Sequence, residues 1–172
     1  IVRELTAQKR NRLFSYHRGN SRTFSDVTDT AGVRDGYWGW GSAFFDYDND
    51  TDLDLVMTNG VDFPSLDLED KYNTDPLRMW ENTGNSTMNE VSSELGLSNS
   101  ASGKGLLVFD FDQDGDQDIF IVNNASTPQL YRNDGGHLAG DWLRINTVGN
   151  VSNKEGLGAR ISLEQEIGGP TQ

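Results

Sequence analysis

The chain has 172 residues, no cysteine, and 14 basic against 27 acidic side chains, which gives a formal net charge of −13. This charge disfavours binding to nucleic-acid phosphates or anionic lipid, and the lack of cysteine excludes disulfides and thiolate metal sites. Because no apolar run approaches the ~18 residues of a membrane-spanning helix, the sequence predicts neither a nucleic-acid partner nor membrane insertion.

Residues 1–34 contain two short strand-like runs, 13–16 and 23–28, followed by a connector that ends in Ala31-Gly32-Val33. Short runs rich in β-branched and aromatic residues, bounded by Gly and Asn, are typical of β-strands. No sustained period of 3.6 residues, which would indicate helices, occurs along the chain. We expect the two runs to be the outer strand pair of a preceding structural repeat.

A first full repeat is predicted over residues 35–98. Two apolar runs, 41–45 and 53–58, flank the window Asp46-Tyr-Asp48-Asn-Asp50-Thr-Asp52-Leu-Asp54, and polar outer strands are expected near 77–82 and 88–92. The nearly continuous apolar character of the inner runs predicts strands that are covered on both faces.

A second repeat is predicted over residues 99–138. Its window, Asp110-Phe-Asp112-Gln-Asp114-Gly-Asp116-Gln-Asp118, begins 64 residues after the first one, which indicates an internal repeat. The outer-strand motifs Trp80-Glu-Asn82-Thr-Gly84 and Tyr131-Arg-Asn133-Asp-Gly135 recur at an offset of only 51. The first repeat therefore carries extra residues, which we predict to form an inserted surface loop at 61–77.

The two windows, loops 46–54 and 110–118, hold ten of the 19 aspartates. Two carboxylates ~4 Å apart repel each other by about 4 kcal/mol at an effective dielectric of about 20, unless a cation lies between them. A set of hard oxygen ligands without His or Cys favours calcium over zinc or copper. We predict about two calcium ions, one in each loop; magnesium, or a solvated acidic turn without an ion, is the alternative.

The predicted carboxylate ligands are the first, third, fifth and ninth residues of each window: Asp46, Asp48, Asp50 and Asp54 in the first loop, and Asp110, Asp112, Asp114 and Asp118 in the second. The seventh residues, Asp52 and Asp116, are expected to offer a backbone carbonyl. An EF-hand would instead need a glutamate at the twelfth position, between two helices. The sixth residue is Gly115 in the second loop but Thr51 in the first, so a left-handed backbone there would make the first site weaker.

These features resemble the FG-GAP/VCBS repeats of integrin-like β-propellers: the approach Gly39-Trp-Gly41-Ser-Ala43, the alternating aspartates, and the closing Asn59-Gly60 and Asn123-Asn124. The later run Asp141-Trp-Leu-Arg-Ile-Asn-Thr-Val-Gly149 is similar to the start of the ASPIC/UnbV domain of the cartilage acidic protein family, so residues 139–172 are predicted to be a partial segment of that kind. The resemblance implies an all-β fold of antiparallel, propeller-blade-like repeats. Propellers close with about four to eight blades, whereas this chain holds about two blades and part of a third, as an incomplete propeller or fragment.

The resemblance also implies a secreted or extracellular, calcium-stabilised module, periplasmic or on the cell surface if bacterial. Such a module binds a protein or carbohydrate ligand, or serves structural adhesion, without catalysis. Weak calcium sites fill only outside the cytosol, which favours the same location. The alternative is a fragment of a calcium-stabilised carbohydrate-active enzyme, a lyase or hydrolase, since paired carboxylates can act as acid and base. Open sheet edges would be covered by a second copy or by the remainder of a longer chain.

Overall fold

The computed structural model describes residues 11–17, 22–61, 75–135, 142–151 and 153–163. These residues contain nine short strands and a single-turn helix, so the predicted all-β class is confirmed. The chain divides into two compact units, Ile1–Asp141 and Trp142–Gln172. All the strands of the described part lie in the first unit.

The strands form three antiparallel sheets, and none of these closes on itself within the described residues. The first sheet pairs β1 (Phe14–His17) with β2 (Thr23–Asp26); the second has the order β3 (Ser42–Phe45), β4 (Asp54–Met57), β5 (Arg78–Asn82), β6 (Met88–Glu90); the third has the order β7 (Gly103–Phe109), β8 (Asp118–Asn123), β9 (Gln129–Tyr131). The helix α1 (Thr28–Ala31) follows β2. The predicted inner and outer strands are therefore present, apart from small shifts of their ends.

The connectors that follow β2 and β6 are folded in the same way. The amide of Leu13 donates to Thr28 Oγ1 at 2.8 Å, and the amide of Met79 donates to Ser92 Oγ at 2.6 Å. Equivalent ion pairs join Arg12 to Asp26 and Arg78 to Glu90. The first sheet thus makes the same connector contacts as the outer strand pair of the second sheet. Its assignment to a preceding repeat stays a prediction.

One apolar core lies between the second and third sheets. Val56 and Met79 of the second sheet pack with Ile119 and Ile121 of the third, and all four side chains are at most 5% exposed. These residues come from both predicted repeats. The two sheets therefore share one core, and each covers an apolar face of the other.

A smaller core lies on the opposite face of the second sheet. Ala31 and Val33, from the connector after β2, pack there with Met57 and Trp80. Because successive strand residues point to opposite faces, Val56 enters one core and Met57 enters the other. The prediction of inner strands covered on both faces is therefore confirmed for β4, whereas in β3 it is wrong, because Phe44 is 48% exposed.

Two predictions need correction or fall outside the described residues. In the third sheet, Leu107 and Val122 are 60% and 48% exposed, so one face of that sheet is open and the expected double coverage is wrong there. Most of the predicted surface loop 61–77 lies outside the described residues. Its two ends, Val61 and Leu77, are each 1% exposed, so they belong to the interior and not to a surface loop. Val61 ends the buried stretch that follows β4, and Leu77 directly precedes β5.

Candidate metal centre

Each acidic loop joins the two inner strands of a repeat. The first loop connects β3 to β4 and the second connects β7 to β8, so that the ninth aspartates, Asp54 and Asp118, begin the following strands. Both loops therefore lie in β-hairpins and not between helices, which agrees with the distinction from an EF-hand.

The first aspartate of each loop folds the loop around its own carboxylate. Asp46 accepts hydrogen bonds from the amides of the fifth and sixth loop residues at 3.1 and 2.9 Å. Asp110 accepts from the amides of the fourth, fifth and sixth residues at 2.7, 3.2 and 3.3 Å. Aspartate suits this position because its short side chain reaches backbone N–H groups a few residues along the chain.

The fourth and sixth residues of both loops have a left-handed backbone. Asn49 and Thr51 have φ values of 59° and 78°, and their equivalents Gln113 and Gly115 have 67° and 100°. The positive φ considered for the sixth position is therefore present in both loops, but only the second loop has glycine there. A residue with a Cβ atom pays about 1–2 kcal/mol in this conformation, so Thr51 strains the first loop.

The ninth aspartates anchor the loops to the outer strands. Asp54 and Asp118 are 1% and 0% exposed. In each, one oxygen accepts the amide of the second loop residue, at 3.1 and 2.8 Å, while the other accepts the amide of Asn82 or Asn133 at 2.8 Å. The two asparagines, which are 51 residues apart in the sequence, therefore donate the same hydrogen bond to the ninth aspartate of their own repeat.

Three carboxylates approach one another in each loop. One oxygen from each member of the group lies within 4.8 Å of the others, and the groups are Asp46, Asp48 and Asp50 in the first loop and Asp110, Asp112 and Asp118 in the second. This spacing allows one cation to contact three anionic oxygens. Each loop could therefore hold a metal ion.

The other predicted ligands lie outside these two groups of carboxylates. Asp54 in the first loop and Asp114 in the second are the missing members, so each loop brings together three of its four predicted carboxylates, but not the same three. The side chains of Asp52 and Asp116 are outside as well. Asp116 is fully buried and accepts a hydrogen bond from the Asn49 side chain at 3.3 Å, which ties the two loops together.

Burial and neighbouring charges raise the pKa of several loop carboxyls. Burial raises the pKa of Asp54 to about 6; two amide donors oppose this shift, and the charges of Asp48 and Asp50 add to it. Burial is also the largest cause that raises the pKa of Asp48 and of Asp112, and in each case neighbouring aspartates contribute. The buried Oδ1 atom of Asp48 accepts no hydrogen bond from the described residues. A cation in the loop would favour the ionised form of all these groups.

A hydrogen-bonded bridge connects the anchoring aspartates of the two loops. The side-chain amide of Asn133 donates to the carbonyl oxygen of Tyr47 at 2.6 Å. Tyr47 donates its own amide to Asp54, and Asn133 donates its amide to Asp118. The one trace of this bridge in the sequence is the recurring asparagine, which ends β5 in the first repeat and follows β9 by two residues in the second, and this spacing alone does not predict the bridge.

A cavity of about 480 Å³ lies beside the first loop. Apolar side chains of Phe45, Met79 and Ile119 line it together with the charged Asp48 and Arg132. Ligand pockets commonly have volumes of about 300–1,000 Å³, an apolar lining and a few polar groups. The cavity is built from residues of both repeats, which is why no single segment of the sequence indicated it.

No protein-family model matches this chain, and no curated protein sequence is significantly similar to it. The resemblance to FG-GAP/VCBS repeats and to an ASPIC/UnbV segment therefore stays a prediction from motifs. Among the described residues, no helix has the length and apolar character needed to cross a bilayer.

Proposed function

We propose that this chain is a calcium-binding repeat module that acts outside the cell in ligand binding or structural adhesion, without catalysis. The observation that carries the proposal is one loop architecture that recurs at two equivalent positions. Each loop folds around its first aspartate, is anchored by its ninth, and gathers three carboxylates. Solvated acidic turns have no reason to share all three features.

Calcium is the ion that best suits these ligands. It accepts roughly six to eight oxygen ligands in flexible geometry, so carboxylates, backbone carbonyls and water can share the coordination. Magnesium demands a near-ideal octahedron and keeps much of its water, whereas zinc and copper favour nitrogen or sulfur ligands. We propose about two ions, held by carboxylates of the first, third, fifth and ninth residues and by carbonyls of the seventh.

The ions would act mainly on stability. The ninth aspartates join each loop to an outer strand, and the carboxylate groups lie directly before the inner strands that supply the core. A cation that binds the folded chain but not the unfolded one stabilises the fold by mass action. Weak calcium sites, with dissociation constants of roughly 0.1–1 mM, are filled only at extracellular calcium levels, which supports an extracellular location.

A calcium titration tests the metal proposal directly. We expect the melting temperature to rise on addition of calcium and to fall on addition of a chelator. Asp48→Asn and Asp112→Asn should each weaken one site, while Asp35→Asn, an exposed aspartate outside both loops, serves as the matched control. If chelation leaves the melting temperature unchanged, or if the control behaves like the loop variants, the proposed function is wrong.

Ligand binding and the absence of catalysis need a separate test. The cavity between the sheets and the motif resemblance both favour a binding role for a carbohydrate or protein ligand. A glycan array, run in parallel with a hydrolysis and lyase screen in calcium, distinguishes a binding module from an enzyme. Turnover that is lost in a variant of a carboxylate outside the two loops would establish the carbohydrate-active enzyme instead.

A further inference from the structure

One pair of apolar residues occupies the same place in all three sheets. The pairs are Leu13-Phe14, Met79-Trp80 and Leu130-Tyr131. The connector hydrogen bonds made by Leu13 and Met79 align the first two pairs. The amides of Asn82 and Asn133 bind the anchoring aspartates in the same way, so these two residues are equivalent. Counting back three residues from each aligns Met79 with Leu130.

The two residues of a pair face opposite neighbours. Met79 lies in the core shared with the third sheet, whereas Trp80 lies in the core shared with the connector of the first sheet. Leu13 packs against the core that contains Trp80, and Tyr131 packs against the core that contains Met79. The aliphatic residue thus points to the following sheet and the aromatic residue to the preceding one.

The third sheet has no following sheet among the described residues. In the second sheet, Ala43, Val56 and Met79 are cross-strand neighbours that contribute to the core shared with the third sheet. Their equivalents Leu107, Phe120 and Leu130 are cross-strand neighbours in the third sheet, and Leu107 and Leu130 are 60% and 44% exposed. We call Leu107, Phe120 and Leu130 the trailing face.

The first sheet has no preceding sheet among the described residues. Phe14 is equivalent to the packed aromatics of the other pairs but is 51% exposed. Phe24 is equivalent to Met88, which packs in the smaller core, yet Phe24 is 67% exposed. We call Phe14 and Phe24 the leading face.

We propose that the trailing face of one copy of this chain binds the leading face of a second copy. The contact continues an arrangement that the chain already makes twice, in which the aliphatic residue of one pair shares a core with the aromatic residue of the next pair: Leu13 with Trp80, and Met79 with Tyr131. Apolar side chains that are clustered and exposed mark interaction sites. The contact joins two different faces, so it is heterologous and extends head to tail.

Sedimentation equilibrium of the full chain in calcium, over about 1–200 μM, tests the proposal. We expect the mean mass to rise with concentration beyond that of a monomer. A mass that stays monomeric across this range overturns the proposal. The two faces contain no proposed metal ligand, so this outcome can be told apart from a failure of calcium binding in the titration above.

A matched pair of variants identifies the surface. Leu107→Gln, on the trailing face, should weaken association about tenfold or more because it removes one apolar side chain from the contact. Leu53→Gln is the control, since Leu53 is 53% exposed and the equivalent residue of the second loop is already Gln117. Equal effects of both substitutions, or no effect of Leu107→Gln, would overturn the assignment of the trailing face.

Mixing variants tests the head-to-tail arrangement. Phe14→Gln alters the leading face and Leu107→Gln the trailing face, so each should associate weakly by itself. An equimolar mixture retains one intact face of each kind and should form a dimer that does not grow further. If the mixture associates no better than its components, the heterologous contact is wrong. Circular dichroism of each variant establishes that the exposed substitutions leave the fold intact.

Discussion

At the scale of single residues, the sixth position of the acidic loops separates the two candidate sites. Thr51 and Gly115 share a left-handed backbone, and only glycine adopts it without steric cost. The fourth position is left-handed too, but Asn49 and Gln113 both carry a Cβ atom. The difference between the loops is therefore concentrated at Thr51, and we expect the first site to be the weaker one.

Exchanging the two residues tests this difference. We expect Gly115→Thr to lower the free energy of unfolding by about 1–2 kcal/mol, because it introduces a Cβ atom at positive φ. Thr51→Gly should raise it by less, since glycine also gains freedom in the unfolded chain. Urea unfolding and calcium titration of both variants provide the measurement. Equal calcium affinities of the two loops in the unaltered chain would contradict the expectation.

The carboxyl of Asp54 predicts how calcium stabilisation depends on pH. Its pKa of about 6 in the folded chain lies above its ordinary value, so the folded state binds this proton more tightly than the unfolded state. Without calcium, this group therefore adds stability as the pH falls from about 7 towards 4. Calcium needs the ionised form, so its stabilising effect should shrink over the same range.

Thermal melts in calcium and in chelator, at about pH 7 and about pH 5, measure that dependence. We expect the calcium-dependent rise in melting temperature to be clearly smaller at the lower pH. In the Asp54→Asn variant, which lacks this carboxyl, the calcium-dependent rise in melting temperature should differ less between the two pH values. The same rise at both pH values would contradict the prediction.

At the scale of elements, the inner hairpins are held to the outer strands by hydrogen bonds that end on loop carboxylates. Asn82 and Asn133 make the same amide contact in their own repeats, and the side-chain oxygen of each accepts the amide two residues further on at 3.2 Å. Asn133 alone of the two reaches the other repeat, through the carbonyl of Tyr47. It therefore joins the second sheet to the third.

Alanine substitution of the two asparagines isolates this bridge. Both variants lose the local turn contact and keep the backbone amide that binds aspartate. Asn133→Ala also loses the 2.6 Å bond to Tyr47 of the other repeat, whereas Asn82→Ala loses a longer, exposed bond of 3.3 Å to the Leu53 carbonyl of its own repeat. We therefore expect Asn133→Ala to cost more than Asn82→Ala, by up to about 1 kcal/mol. Chemical unfolding of both variants gives the comparison. A larger loss for Asn82→Ala would show that the bridge contributes little.

At the scale of the whole molecule, two cores on opposite faces of the second sheet hold the first unit together. The larger core takes side chains from both repeats, so the second and third sheets should unfold together. The net charge of −13 opposes compaction, since like charges repel over distances of about 10 Å at moderate salt. Cations in the loops would reduce that repulsion where it is most concentrated.

Neighbouring residues of β8 test the shared core. Ile121 is fully buried between the sheets, while Val122, next to it, is 48% exposed on the open face. We expect Ile121→Ala to cost about 2–5 kcal/mol and to shift one cooperative transition for both sheets. Val122→Ala should change the stability by about 0.5 kcal/mol or less in the isolated chain. Two separate transitions would contradict a common core.

The sequence by itself predicted the strands, the two hairpin loops and the repeat that relates them. These features depend on residues close together in the chain: the apolar runs set the strands, and the alternating aspartates fold the loops around Asp46 and Asp110. The equivalence of Asn82 and Asn133 was also visible as a spacing. Local chemistry was sufficient for all of them.

The tertiary structure decided which carboxylates approach each other, the bridge from Asn133 to Tyr47, and the exposure of Leu107 and Phe14. Each of these depends on how segments distant in sequence pack together. An apolar strand has the same pattern whether a neighbouring sheet covers it or not, so only the packing of the sheets distinguishes the covered face of the second sheet from the open face of the third.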